Sequence, residues 1–335
     1  MPRRPQPPDS SAARAPQARG AAPQRSGDCL DERCAGRVVA RFGSRYIVAV
    51  DRAAGDTAAG QELDAIGRGR RQDIVVGDRV HCSREQGLLV IEAVEPRRNL
   101  LFRADANRTK PLAANVDQIA IVFAAQPPPQ PEFVWRALLA AAAAGVEPVA
   151  ILNKIDLESA AALAALDEVA RLGARVVRVS ARGNPRGAAQ QLEQVCRDRI
   201  TLFVGQSGVG KSTLLNLLIG SELRTGVLSR RGTHGRQTTT ATRWLAYGTR
   251  GAVIDSPGFH EFGLGHLSAA ELARSMPDFA AVTQPCRFAD CHHAEEPDCQ
   301  VRAAVEDGQI SRARYEFYRK LLAQDSGTMA AHSRK

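Results

Sequence analysis

The chain lacks any long apolar run. Its longest, Ala137 to Ala144, is far short of the roughly 20 residues that a membrane-spanning helix needs, so no such helix and no membrane partner are expected. No apolar h-region follows the arginines near the N-terminus, which argues against a secretory signal and for a cytoplasmic location. Residues 1 to 33 have almost no large apolar side chains, only Pro, Ala, Arg and Gln in quantity, and cannot bury enough surface to offset ordering. They read as a disordered basic tail. A disulfide framework is missing as well. Of seven cysteines, Cys29, Cys34, Cys82 and Cys196 are scattered, whereas Cys286, Cys291 and Cys299 lie close together, a distribution that suits a metal cluster in a reducing compartment.

What is present points to a modular, soluble chain. A length of 335 residues exceeds what one core usually holds. The formal charge of +9 makes the protein a polycation, to which nucleic acids are the commonest intracellular counterparts. From residue 34 to 103 short alternating segments such as Tyr46 to Val50 are punctuated by Gly and Asp, the texture of a small all-β module. Its size suits a five-stranded OB-like barrel, a fold that often binds oligonucleotides, although aromatics are few there. Residues 104 to 276 alternate continuous apolar strands with amphipathic helices, the pattern of a doubly wound parallel α/β sheet. Residues 277 to 335 lack strand signals and hold a Cys/His cluster followed by a helix.

Five motifs carry chemistry. Gly205-Gln206-Ser207-Gly208-Val209-Gly210-Lys211-Ser212 fits the phosphate-binding loop between a strand and a helix, with Thr213 beside it. Its backbone N–H groups wrap phosphates, Lys211 meets the β and γ oxygens, and the Ser212 hydroxyl reaches Mg²⁺. Asn153-Lys154-Ile155-Asp156 follows an apolar strand, and the Asp156 carboxylate can accept the two N–H donors of a guanine edge, which adenine lacks. Ser180-Ala181 fits the loop that offers a backbone N–H to guanine O6. Asp255-Ser256-Pro257-Gly258 places Asp255 to hold Mg²⁺ through water and Gly258 to sense the γ-phosphate. In the polar stretch between phosphate loop and Asp255, Thr238 and Thr239 are both open as Mg²⁺ ligands alongside Ser212. Many GTPases place a water-orienting glutamine just after this glycine, but in this chain that residue is Phe259. The candidates to replace it are Gln237, His234 or a group from a partner. Finally, Cys286, Cys291, His293 and Cys299 form C-x₄-C-x-H-x₅-C, a set that closes a tetrahedral structural Zn²⁺ site, with His292 a competing ligand.

The base-reading motifs precede the phosphate loop, the reverse of the conventional GTPase order, as if the chain had been circularly permuted. With a β-module before and a Cys₃His cluster after, this order resembles the ribosome small-subunit-dependent GTPases known as RsgA or YjeQ. The resemblance spans residues 34 to 325 and implies an OB-fold, a permuted GTPase domain and a zinc domain that grip the small (30S) subunit and its rRNA. It also implies GTP hydrolysis stimulated by that subunit during its late maturation, by a monomer. The family spacing points to His293 over His292. One departure is that the family usually has histidine just before the threonine run, where this chain has Gln237. The rival readings are a P-loop GTP switch that recruits a protein partner without rRNA contact, and an ATP-dependent RNA-remodelling enzyme, which Asp156 disfavours. Because the Asp255 segment leads straight into the C-terminal region, its movement could reposition the zinc domain.

Overall fold

The computed structural model describes residues 33–51, 60–69, 73–85, 87–105, 108–157, 159–225, 242–257 and 259–332, with backbone alone for 221–225 and 325–332. Nearly all of the expected tail, and His234, Gln237, Thr238, Thr239 and Gly258, lie outside the described residues.

Strands β1 (Cys34–Phe42), β2 (Arg45–Val50), β3 (Glu62–Gly67), β4 (Arg79–Glu85) and β5 (Leu88–Val94) close on one another in the order β1-β2-β3-β5-β4-β1. Only the β3 to β5 pair is parallel. This is the expected five-stranded barrel. Its cause is visible in β2, where Tyr46, Val48 and Val50 are buried and the residues between them are not. That period-two alternation sends one face inward, and Val38, Ile74, Val80, Leu89 and Ile91 complete the core. At the barrel mouth the Asp78 carboxylate is buried and accepts two bonds from Arg97, at 2.7 and 2.8 Å, and one from the Val75 N–H at 2.8 Å.

A hairpin, β6 (Leu100–Asp105) and β7 (Arg108–Ala114), follows. The division expected after residue 103 falls inside it, and the ladder from Leu100–Ala114 to Asp105–Arg108 makes it one piece. It abuts the barrel at Gly77, whose φ of 94° and contact with the Ala114 carbonyl leave no room for a Cβ.

The α/β part contains β8 (Gln118–Ala124), α1 (Pro131–Ala144), β9 (Glu147–Asn153), α2 (Ala160–Arg171), β10 (Arg175–Arg178), α3 (Pro185–Cys196), β11 (Ile200–Gly205), α4 (Lys211–Thr225), β12 (Arg243–Tyr247) and β13 (Gly251–Asp255). The order is β10-β9-β8-β11-β13-β12, parallel except for β12. Strands β8 and β11 are buried along their whole length, as central parallel strands covered on both faces must be. Helix α3 begins at Pro185, earlier than its apolar pattern suggests, because Asn184 caps it by accepting the Gly187 N–H.

Beyond β13 come α5 (Ala269–Arg274), α6 (Pro277–Ala280), α7 (Gln300–Glu306) and α8 (Arg312–His332). These do not form a separate core. Phe279, Val301, Ala304, Phe317 and Tyr318 share one buried cluster with Trp135, Leu138 and Leu139 of α1. The sheet is likewise continuous with the barrel, since β12 pairs with β1 at Arg243 and Ala40. No helix among the described residues is long and apolar enough to cross a membrane.

Candidate active site and metal centre

A cavity of about 850 Å³ opens at the carboxyl ends of β8, β9, β11 and β13, where parallel α/β sheets place their ligands. The phosphate-loop, Asn153-to-Asp156, Ser180-Ala181 and Asp255 segments all reach it. The loop between β11 and α4 turns at Gly208 and Gly210, with φ of 82° and 94° that favour glycine. A Cβ on Gly210 would also strike the Asn153 side chain, and one on Gly205 would come within 2.6 Å of the Val122 carbonyl oxygen. The loop is therefore pressed against the ends of the neighbouring strands.

Asn153 is the pin of this arrangement. It is 1% exposed, donates to the Val209 carbonyl at 2.9 Å and accepts from the Ala181 N–H at 3.0 Å. One amide thus ties the phosphate loop to the Ser180-Ala181 turn. The Ala181 N–H, in the loop expected to offer a backbone N–H to guanine O6, donates to Asn153. Lys154, at φ 60°, donates to the carbonyls of Gln126 and Gly208 at 2.6 and 2.8 Å. Its role is a strap over the loop. The Asp156 carboxylate accepts from the Ser180 hydroxyl, which in turn accepts from the Gly183 N–H at 2.9 Å. The Ser180 bond, with help from the backbone and Lys154, holds Asp156 below the usual carboxylate range. Ile155 stays exposed.

At the other end of the cavity the Lys211 ammonium pairs with Asp255. Ser207, Ser212 and Thr213 also line the wall. Ser256 is buried and lies 3.4 Å from the Thr242 hydroxyl. Phe259 is turned into the core, edge-on to Phe262 and Phe133 with ring centres 4.7 and 6.3 Å away. Four wall residues were not anticipated from the sequence: Gln126, Leu157, Arg182 and His260. Gln126 and Arg182 follow strand ends in the same way as the recognised motifs, a signal that was available; His260 stands two residues past Gly258.

The second cluster is remote in sequence and built differently. Cys286, Cys291, His293 and Cys299 bring their ligand atoms within 4.8 Å of one another. The three sulfurs lie 3.4 to 3.5 Å from His293 Nδ1, and Cys286 and Cys299 are 3.9 Å apart. Zinc bond lengths of roughly 2.3 Å to sulfur and 2.0–2.1 Å to nitrogen make tetrahedral edges of about 3.8 and 3.6 Å. The residues therefore fit such an ion. His293, not His292, faces the thiols, at a φ of 57°. His292 instead offers its carbonyl to the Tyr318 hydroxyl at 2.6 Å, and the His293 carbonyl accepts from Tyr315 at 2.8 Å. Glu296 accepts the N–H groups of His292, Ala294 and Glu295 at 2.8 to 3.0 Å. Although burial alone would raise it, these bonds hold Glu296 down to about 2. Burial pushes the Cys291 thiol up; a cation bound among the four ligands would offset this and favour the thiolates.

Residues 94–265 match the RsgA GTPase family. The chain is 42% identical over 306 residues to the small ribosomal subunit biogenesis GTPase RsgA of Paraburkholderia phymatum, covering 89% of this chain and 94% of that one. It belongs to the RsgA GTPase family. The RsgA of Burkholderia pseudomallei is 41% identical over 301 residues, with 88% and 93% covered. Among solved structures, YjeQ from Thermotoga maritima superposes with a TM-score of 0.63 at 29% identity, over 88% of this chain and 99% of that one. YloQ, described as a circularly permuted GTPase, superposes at 0.60 with 24% identity over 88% and 96%, a likeness of fold. The chain is a GTP hydrolase with a permuted α/β domain, as its motif order implied.

Proposed function

We propose that this chain binds the small ribosomal subunit, touches its rRNA, and hydrolyses GTP there during late maturation of the subunit, which stimulates the reaction. The observation that carries the reading is the junction of barrel and GTPase sheet. Arg41, Arg103, Arg108 and Lys110 line a cavity of about 880 Å³ between barrel and hairpin, with Asp73 the acidic residue in its wall. Thr242 lines it too, next to β12, the strand that joins the two sheets. A cationic groove suits a phosphate backbone, and this one adjoins the chain that leads from the phosphate loop to Asp255. The named relatives, RsgA proteins of small-subunit biogenesis, agree with this partner.

Within the cavity, we assign Asn153 to Asp156 with Ser180 and Ala181 to guanine, and Gly205 to Thr213 to the phosphates. Asp156 exchanges its Ser180 bond for the two guanine N–H donors. Lys211 would leave Asp255 for the β and γ oxygens, and Asp255 would then help to hold Mg²⁺ through water. Ser212, with Thr238 or Thr239, would hold Mg²⁺, which when bound with GTP neutralises charge developing on the phosphates. Gly258 would meet the γ-phosphate. Cys286, Cys291, His293 and Cys299 would hold one structural Zn²⁺, with no ligand position left for chemistry. We read the chain as a cytoplasmic monomer made of a tail, a barrel, a GTPase region and a zinc-binding segment.

The test is sedimentation of the full chain with purified small subunits, at several salt concentrations, with a non-hydrolysable GTP analogue or GDP, alongside GTP turnover with and without subunits. Salt-sensitive co-sedimentation that favours the GTP analogue, together with stimulated turnover, is expected. Turnover indifferent to subunits would overturn the reading.

A further inference from the structure

Among the described residues beyond Asp255, the cavity wall contains one uncommitted polar side chain. Ser256 is 1% exposed and engaged with Thr242. Pro257 has no side-chain polar atom. Phe259, in the place after Gly258, has none either, and its ring is packed against Phe133 and Phe262. His260 is exposed, lines the same cavity as Lys211, Ser212 and Asp255, and makes no hydrogen bond or ion pair with the described residues. We propose that His260 orients the attacking water in GTP hydrolysis.

The proposal rests on assigning the Lys211 end of the cavity to the phosphates. An imidazole nitrogen accepts a hydrogen bond from the water, fixing one lone pair of its oxygen in line with the γ-phosphorus. The water oxygen then bonds to phosphorus as the bridge between the β and γ phosphates breaks. The bond pair leaves with GDP, and the water proton passes to the departing phosphate, so GTP and water become GDP and inorganic phosphate. Positioning is the task, not permanent proton uptake. An amide of similar reach can do the same, as the glutamine of many GTPases does. This separates His260 from a general base, which glutamine cannot replace.

The experiment compares wild type, His260→Ala, His260→Gln and Gln237→Ala as full chains with small subunits, measuring kcat and, separately, affinity for a fluorescent GTP analogue. His260→Ala is expected to lower kcat by about 100-fold with nucleotide affinity unchanged, and His260→Gln to keep most of the rate. His260→Ala at wild-type kcat would overturn the proposal. So would His260→Gln as slow as His260→Ala, or a loss of nucleotide affinity in both. If Lys211→Ala binds and turns over GTP like wild type, the assignment of the cavity has failed, and His260 with it.

Discussion

The cavity at the strand ends is walled in part by residues that follow β8 and β11, which are buried along their whole length, and its loop is pinned by one buried amide, Asn153. The Cys/His segment has no strand. Its loop hangs from two tyrosine hydroxyls of α8 and from Glu296. Yet both draw on one apolar cluster, because α1 covers the sheet on one side and Phe279, Phe317 and Tyr318 on the other. The difference teaches where each site gets its rigidity. Packing shapes the cavity before any ligand arrives, whereas the Cys/His loop sets four ligands around a centre where burial disfavours thiolates.

The sharpest way to break this comparison is Cys291→Ser. Structural zinc contributes on the order of 10–16 kcal/mol in small zinc modules, so the variant should lose its metal and the amide-exchange protection of residues 286–299, while binding of a GTP analogue survives. Metal analysis and hydrogen exchange check it; a cavity lost along with the loop would show that the two sites are not independently held. Next is Arg314→Leu. Arg314 is 3% exposed and forks onto Asp278 at 2.7 and 2.8 Å beneath Trp135. Removing it leaves a carboxylate unpaired at a cost of about 3–5 kcal/mol, visible in denaturant unfolding.

Asp156→Asn probes the cavity side. On the proposed assignment of Asp156 to guanine, it should reduce the preference for GTP over ATP by about 1.5–3 kcal/mol, read by nucleotide competition, with stability nearly unchanged. The smallest effect is that of Glu296→Gln, which weakens three backbone bonds by a total near 1 kcal/mol. Because the folded-state value of Glu296 is depressed to about 2, its contribution is full above the unfolded value of about 4.3 and fades as pH falls toward 2. The gap between variant and wild type in thermal unfolding should therefore be constant near neutrality and close in acid.

Much of this was legible because the chemistry follows strand ends. Gly205 to Ser212, Asn153 to Asp156, Ser180-Ala181 and Asp255 each come after an apolar run, and a run that ends in such residues locates itself at the rim of a parallel sheet. The Cys₃His spacing was legible for a similar local reason, and the family spacing pointed to His293, whose Nδ1 lies 3.4 to 3.5 Å from the three sulfurs at a left-handed turn. Less local features were not. Strand β12 is mostly half-buried and joins the barrel through Ala40 and Arg243, with Arg37 4.6 Å over the Trp244 ring. Those partners are some two hundred residues apart, beyond the reach of any period. His260 likewise looks like an ordinary loop residue until the turn of Phe259 into the core leaves it alone on the wall.

By itself, then, the sequence carried the nucleotide and Cys/His motifs and the permuted order in which they occur, since these depend on residue type and short spacing. Only the tertiary structure decided that barrel and GTPase sheet are one continuous sheet, that the Cys/His segment has no core of its own, and that the hairpin spans the expected division. Those facts depend on burial shared between distant segments, and apolar surface is non-directional: the pattern says that a face must be covered, not by what.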